Sequence, residues 1–224
     1  MTYHINVFKI LFSLDDHLFR IHKAEKIYNL WKVSALLVLF SMAVYSWMAF
    51  LGMGTTLISP TAVGLSSLEY EQSKFWFMVG RAVFAIILAA LILFIPSLLF
   101  YLLTDIPYRK LLIMQQLVLA VMLLERLLWI PLALFNGLDW YVSPLSFGII
   151  ASYLTAVPWV IYFFGAISLF QLWIIWFQVK YLTSFSGTKK WLIWVNVILL
   201  HLIFWSVSTL LAVVDTYIIS GWFG

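Results

Sequence analysis

Cysteine is absent from the chain. Its absence removes disulfides, thiolate metal sites, iron–sulfur clusters and thiol nucleophiles together. Charge is scarce as well: Asp, Glu, Lys and Arg make up 10% of the 224 residues, against about a quarter in ordinary soluble domains. No Asn-x-Ser/Thr acceptor occurs. The opening residues mix charged and apolar groups and lack the basic start, apolar centre and small-residue cleavage site of a signal peptide. The first hydrophobic stretch therefore reads as an uncleaved anchor. Catalytic signatures are missing too. There is no Gly-Lys-Ser/Thr phosphate loop, no H-E-x-x-H pair and no G-x-S-x-G elbow. Ser208 and His201 share one apolar stretch and lack the glycine-flanked setting of an intramembrane serine protease. These absences predict a protein that is not an enzyme and carries no cofactor or metal.

What remains is apolar. Hydrophobic residues make up 65% of the chain, with 12 Trp and 11 Tyr, the amphipathic rings that collect at headgroup level. No soluble fold of this size hides so much apolar surface, so the bilayer is the expected solvent. A spanning helix needs about 20 apolar residues, and five stretches qualify: Val33 to Met53, Phe75 to Leu103, Leu111 to Phe135, Pro158 to Val179, and Trp191 to Val214. Between the first two lies a polar stretch, Gly54 to Lys74. The second is long enough to tilt, with Pro96 as a possible kink. The segments TDIPYRK (Thr104 to Lys110), NGLDWYVSP (Asn136 to Pro144) and KYLTSFSGTKK (Lys180 to Lys190) read as loops. Leu145 to Val157 is too short to cross alone and reads as a helix at, or dipping into, the outer interface. The fold class is thus an all-α polytopic bundle of about five transmembrane helices. It divides into a cytoplasmic or interfacial segment, 1–31, and a single membrane bundle, 32–224.

Orientation follows from the basic residues. With five spans, Lys9, Arg20, Lys23, Lys26, Lys32, Arg109, Lys110, Lys180, Lys189 and Lys190 fall on one side and Lys74 alone on the other. The asymmetry predicts a cytoplasmic N-terminus and an outer C-terminus. It also assigns the net charge of +4 to anionic lipid on the inner leaflet rather than to nucleic acid. In the N-terminal segment, Phe8, Leu11, Phe12, Leu18, Phe19, Ile27 and Leu30 recur at helix-like spacings between charges, and Ser13 with Asp16 suggests a helix start. Two readings stay open: an amphipathic helix on the membrane surface, or a helix packed on the cytoplasmic ends of the bundle.

Two short stretches carry a family resemblance. ILFSLDDHLFRI, Ile10 to Ile21, follows the cytoplasmic pattern l-f-s-P-x-x-x-F-x-r-I, with Leu14 where proline is usual. Ser168-Leu169-Phe170-Gln171-Leu172-Trp173 follows s-l-F-x-x-W, and a polar loop, the pair Lys189-Lys190 and a last span come after it. With the five-span layout these resemble bacterial members of the Yip family, named for the Ypt/Rab-interacting proteins of secretory membranes. Glu125 and Arg126 inside a span depart from that pattern. The resemblance implies a non-enzymatic membrane protein. Some bacterial members accompany an ABC exporter as a small subunit linked to resistance against antimicrobial peptides, so a protein partner in the membrane is expected.

Ionisable groups inside spans are costly and are usually paired or functional. Arg81, Glu125, Arg126 and Asp215 are all expected in the outer half, and their depths predict an ionic network of Arg81 with Glu125 and Arg126 with Asp215. The network reads either as a pin holding helices in register or as a substrate or proton site, which would make the chain a small transporter or channel. Gln115, Gln116, Asn196 and His201 are expected to make interhelical hydrogen bonds. Gly148, Ser152 and Ala156, four residues apart, predict a close-packing face.

Overall fold

A computed structural model describes residues 2–55 and 64–214. It is 80% helical, and four helices are long and apolar enough to cross a membrane. These are α3 (Leu30–Phe50), α4 (Ser67–Leu103), α5 (Tyr108–Asn136) and α9 (Lys190–Val214). The fold class is therefore all-α with multiple membrane-length helices. Large side chains such as Leu36, Leu39, Ile87, Leu199 and Leu210 face outward, as a lipid solvent permits and water does not.

The region before α3 is more elaborate than one amphipathic helix. Strands β1 (Thr2–His4) and β2 (Lys26–Tyr28) pair in parallel, and two helices, α1 (Val7–Phe12) and α2 (Leu14–Lys23), form the crossover between them. Ser13 separates the helices. Its hydroxyl donates back to the Lys9 carbonyl rather than capping α2. Tyr3, Ile5, Val7, Ile10, Leu18 and Ile21 are buried in the same core as α5 and α8. This face of the module packs on the bundle, while Phe8, Phe12 and Phe19 remain exposed.

The predicted fourth span is interrupted. Pro158 does start a helix, α7 (Pro158–Gly165), but α8 (Leu169–Phe185) is separate from it and runs beyond Val179. Ser168 opens α8, its side chain accepting from the Gln171 N–H at 3.2 Å. The backbone exposed by the break finds partners in the segment that precedes it. Phe147 N–H donates to Ile167 O and Leu169 N–H to Leu145 O, each at 3.0 Å. Unpaired backbone in hydrocarbon costs several kcal/mol, and irregular chain survives there only where protein covers it. The residues 145–147 supply that cover, and α6 (Gly148–Leu154) then folds back on α7.

α4 begins earlier than its hydropathy implies. Ser66 and Glu69 form a capping box: the carboxylate accepts from Ser66 N–H at 2.9 Å, and Ser66 Oγ caps Glu69 N–H. The 37-residue helix is about 55 Å long, well beyond the ~30 Å of a hydrocarbon core. Pro96 sits inside it without ending it, and the Ser97 hydroxyl donates to Leu93 O at 2.6 Å. α5 is the central helix, packed on α3, α4 and α8. Leu111 through Leu119 form an unbroken buried run along it.

Candidate functional site

Of the predicted charged network, the Arg81–Glu125 pair is not formed, and the Arg126–Asp215 pair lies outside the described residues. Between described residues the ion pairs are Asp16–Arg20 and Asp15–Lys180, and Arg81–Glu125 is not among them. Depth is the reason. α4 and α5 are joined by a tight loop, yet Arg81 lies about 33 Å of helix from Leu103 while Glu125 lies only about 25 Å from Tyr108. The two levels differ by more than a helical turn. Arg81 instead reaches the turn after α3: its guanidinium occupies the space a Cβ would take at Gly54, and its Cζ lies 5.4 Å from the Phe77 ring. Gly54 has φ +78°, so this turn needs glycine for both its backbone and its neighbour.

Arg126 faces α3, where the Tyr45 hydroxyl is its hydrogen-bonding neighbour, with Glu125 nearby and the Trp129 ring 5.9 Å away. Asp215, its expected partner, lies outside the described residues. Arg81 and Arg126 lie about 33 Å and 27 Å along their helices from the loop that joins α4 to α5. Arg81 stands level with the turn after α3, whereas Arg126 lies between α5 and α3, about 15 Å of helix before the end of α5 at Asn136.

Neutral polar groups fill the opposite half. Gln116, fully buried, donates from Nε2 to Leu30 O and to Ser34 Oγ, both at 2.8 Å, tying α5 to the start of α3. His201 of α9 meets Gln178 of α8 across 2.9 Å. These are the interhelical bonds expected of Gln116 and His201. Asn196 makes none among the described residues. Gln115 is fully buried, and neither atom of its amide meets a partner among the described residues. Sequence reasoning passed over Gln178. A glutamine in an apolar run was its only signal, and it deserved the same weight as Gln115.

The small-residue face is corrected in part. Gly148 is buried against Tyr141 and Gly165, and a Cβ there would collide with the Tyr141 carbonyl. Ser152 is exposed, with its hydroxyl turned to Ile149 O, and Ala156 lies past the end of α6. The seven-residue helix is too short to carry the stripe. The true partner of Gly148 is Gly165, which a four-residue periodicity cannot reveal.

Two of the basic residues, Lys110 and Lys180, meet the N-terminal module. Lys180 bonds Asp15 at 2.6 Å, Lys110 Nζ donates to His22 O at 2.9 Å, and the Tyr181 hydroxyl donates to Lys110 O at 2.7 Å. These contacts join the N-terminal module, the start of α5 and the end of α8 at one pole. Along α8 the rings of Trp173 and Phe177 stack, Phe177 meets Tyr181 edge to face, and Tyr181 stacks on Phe185. Within the module, the Tyr3 hydroxyl and His17 Nδ1 lie 2.8 Å apart. Burial pushes Tyr3 up to about 12 and holds His17 below its ordinary value.

Among the described residues no cluster of His, Asp or Glu could hold a metal ion. Comparison with family models, with curated proteins and with solved structures returns no match.

Proposed function

We propose that the chain is a non-enzymatic accessory or scaffold subunit of the cell membrane. In this reading it crosses five times, through α3, α4, α5, the pair α7–α8, and α9, with the N-terminal module in the cytoplasm. It resembles bacterial Yip-type proteins and partners a larger complex such as an ABC exporter, contributing to protection against antimicrobial peptides. The observation that carries the reading is the closed interior. The half of the bundle beside the N-terminal module is filled by Leu111, Leu112, Ile113, Met114 and Leu117 of α5 with Ile174 and Phe177 of α8, and Arg81 and Arg126 lie beyond that packing. Such a bundle has apolar side chains to offer to lipid and to a neighbouring helix protein, and a packed core where a conduit would need water.

The two stretches behind the family resemblance both lie at helix starts. Leu14, standing where proline is usual, is the first residue of α2, a position proline favours. Ser168 caps α8. Purification in mild detergent followed by mass spectrometry tests the proposal: subunits of a transport complex should come down with the chain. Solute flux through liposomes containing this chain alone, abolished by Arg81→Gln or Arg126→Gln, would instead establish a small transporter or channel with a charged outer path.

A further inference from the structure

The N-terminal module holds a cavity of about 510 Å³ lined by His4, Asn6, Lys9, His17, Arg20 and Asn29, with Thr2, Tyr3 and Ile5. Two of the lining residues are cations and none is an acid. The nearest acid, Asp16, holds Arg20 through Nε and Nη2, which leaves Nη1 uncommitted by that pair. His17 is buried and spends Nδ1 on Tyr3. Asn29 is the one non-glycine among the described residues with positive φ, at 63°. It stands at the N-cap of α3, yet its side chain does not cap that helix. The left-handed region is one asparagine adopts readily, and without capping duty the Asn29 side-chain amide is left to the cavity it lines.

From this we propose that the cavity binds a phosphate-bearing anion. Lys9 and Arg20 supply charge, and the amides of Asn6 and Asn29 supply neutral donors. Charge-assisted hydrogen bonds of this kind are the strong ones. Two sources share the chemistry: the phosphodiester of an anionic lipid headgroup and a soluble phosphate ester. The surroundings suit the lipid. Phe8 and Phe12, 71% and 90% exposed, lie four residues apart on the same helix as Lys9, so they share one face. Trp31, 62% exposed, begins the neighbouring α3. Phe8 precedes Lys9 and Trp31 follows Asn29 by two residues, so exposed rings flank two of the cavity's lining residues along the chain and suit an interfacial anchor. The inference is independent of whether the chain serves an exporter.

The test uses the full chain in nanodiscs, read by the ring ¹⁵N resonances of His17. One arm titrates inorganic phosphate into discs of phosphatidylcholine alone. The other replaces part of that lipid with phosphatidylglycerol. Lys9→Gln removes a charge, and Asn29→Gly removes an amide while suiting the positive φ, so both should fold. A saturable shift that weakens about tenfold in Lys9→Gln is expected, with a smaller loss in Asn29→Gly. If phosphatidylglycerol alone produces it, the headgroup is the ligand. If inorganic phosphate also produces it, a soluble ester can occupy the site. No shift in either arm, or shifts unchanged in both variants, would overturn the proposal.

Discussion

Replacing Gly165 with alanine tests whether the α6–α7 hairpin is the close-packed element described above. The added methyl would stand 2.6 Å from Tyr141 Cβ, 2.7 Å from its Cα and 2.9 Å from its carbonyl oxygen. Carbon atoms prefer about 3.5–4.0 Å, so the 3₁₀ turn Trp140–Val142 has to retreat by about 1 Å. No flexible side-chain tip is available to yield, because two of the three atoms are backbone. The turn is itself fixed on the other side by Gly148, which touches the same carbonyl. Overpacking of this kind costs about 1–3 kcal/mol, and the upper half of that range is expected because backbone rather than side chain must shift. Gly148→Ala should cost more, because its methyl would stand 1.7 Å from the Tyr141 carbonyl oxygen. The double variant should cost less than the sum, since a turn already displaced accommodates the second methyl.

The matched control is Gly187→Ala, where a Cβ meets nothing within 4 Å and φ is not positive. Chemical unfolding in detergent should leave that variant at wild-type stability and lower the midpoint of Gly165→Ala. Proteolysis should find new cleavage between Gly137 and Thr155, because the disturbed contact lies there. A Gly165→Ala protein as stable and as protected as Gly187→Ala would refute the packing argument, and with it the account of how the broken backbone around Ser168 is covered.

The N-terminal module should be most stable from near neutrality to about pH 10. Tyr3, raised from 10.0 to about 12, contributes stability that is lost as pH rises through that interval. His17, lowered by burial, contributes stability that is lost as pH falls from its unfolded value of about 6.5. Histidine exchange or tyrosine absorbance across the range would show it, and a flat profile would reject the buried pair. Tyr181→Phe deletes the bond to Lys110 O and should cost about 1 kcal/mol, whereas Lys180→Ala, in an exposed pair with Asp15, should cost under about 1 kcal/mol. Equal losses would reverse their assigned weights. Gln115→Met removes a buried amide without a partner among the described residues, and should leave stability unchanged or raise it by about 1–3 kcal/mol. A clear loss would mean the amide is satisfied by a group from outside the described chain. Because the chain has no cysteine, single substitutions report topology directly. An impermeant maleimide should label Leu138→Cys in intact cells and Ser186→Cys only after permeabilisation, and the converse would invert the five-crossing proposal.

Hydropathy made the long helices legible, because lipid-facing and core-facing residues are alike apolar and only length matters. It failed where polar pairing competes with hydropathy. The Ser66–Glu69 box starts α4 inside a stretch that reads as loop, although Ser-x-x-Glu was there to be seen. The break at Ala166–Ser168 was hidden because Gly165 and Ser168 are ordinary in spans, and its backbone is satisfied by residues about 20 positions earlier. The parallel strands β1 and β2 were invisible for the same reason: each is three residues long, and neither forms without the other. Of the candidate residues, Gln116 and His201 were readable since a buried amide or imidazole must find a partner. Arg81 and Glu125 pair in the sequence reading because a gap of about one turn falls within side-chain reach, whereas counted from the loop that joins α4 to α5 their levels differ by about 7–8 Å.

Depth also decides how the polar residues divide. The charged side chains Arg81 and Arg126 stand about 27–33 Å along their helices from the basic pole. The neutral groups Gln115, Gln116, Gln178 and His201 stand about 10–16 Å from that pole, inside the hydrocarbon. A charge at the bilayer centre costs about 2.5–3.5 kcal/mol even by the most lenient scale, while an interhelical bond between neutral groups returns about 0.6 kcal/mol on average. The bundle thus uses amides and an imidazole as ties between helices in one half and holds its two arginines in the other. A charged pathway would need the reverse, with ionisable groups spaced through the depth of the core. Here that depth is occupied by the Leu111–Leu119 run of α5, and the bonds Gln116–Leu30 and Gln178–His201 pin α3 and α9 into one body with the helices between them. What such a body leaves unsatisfied is its outer surface, where apolar side chains such as Leu36, Ile87 and Leu210 stand exposed.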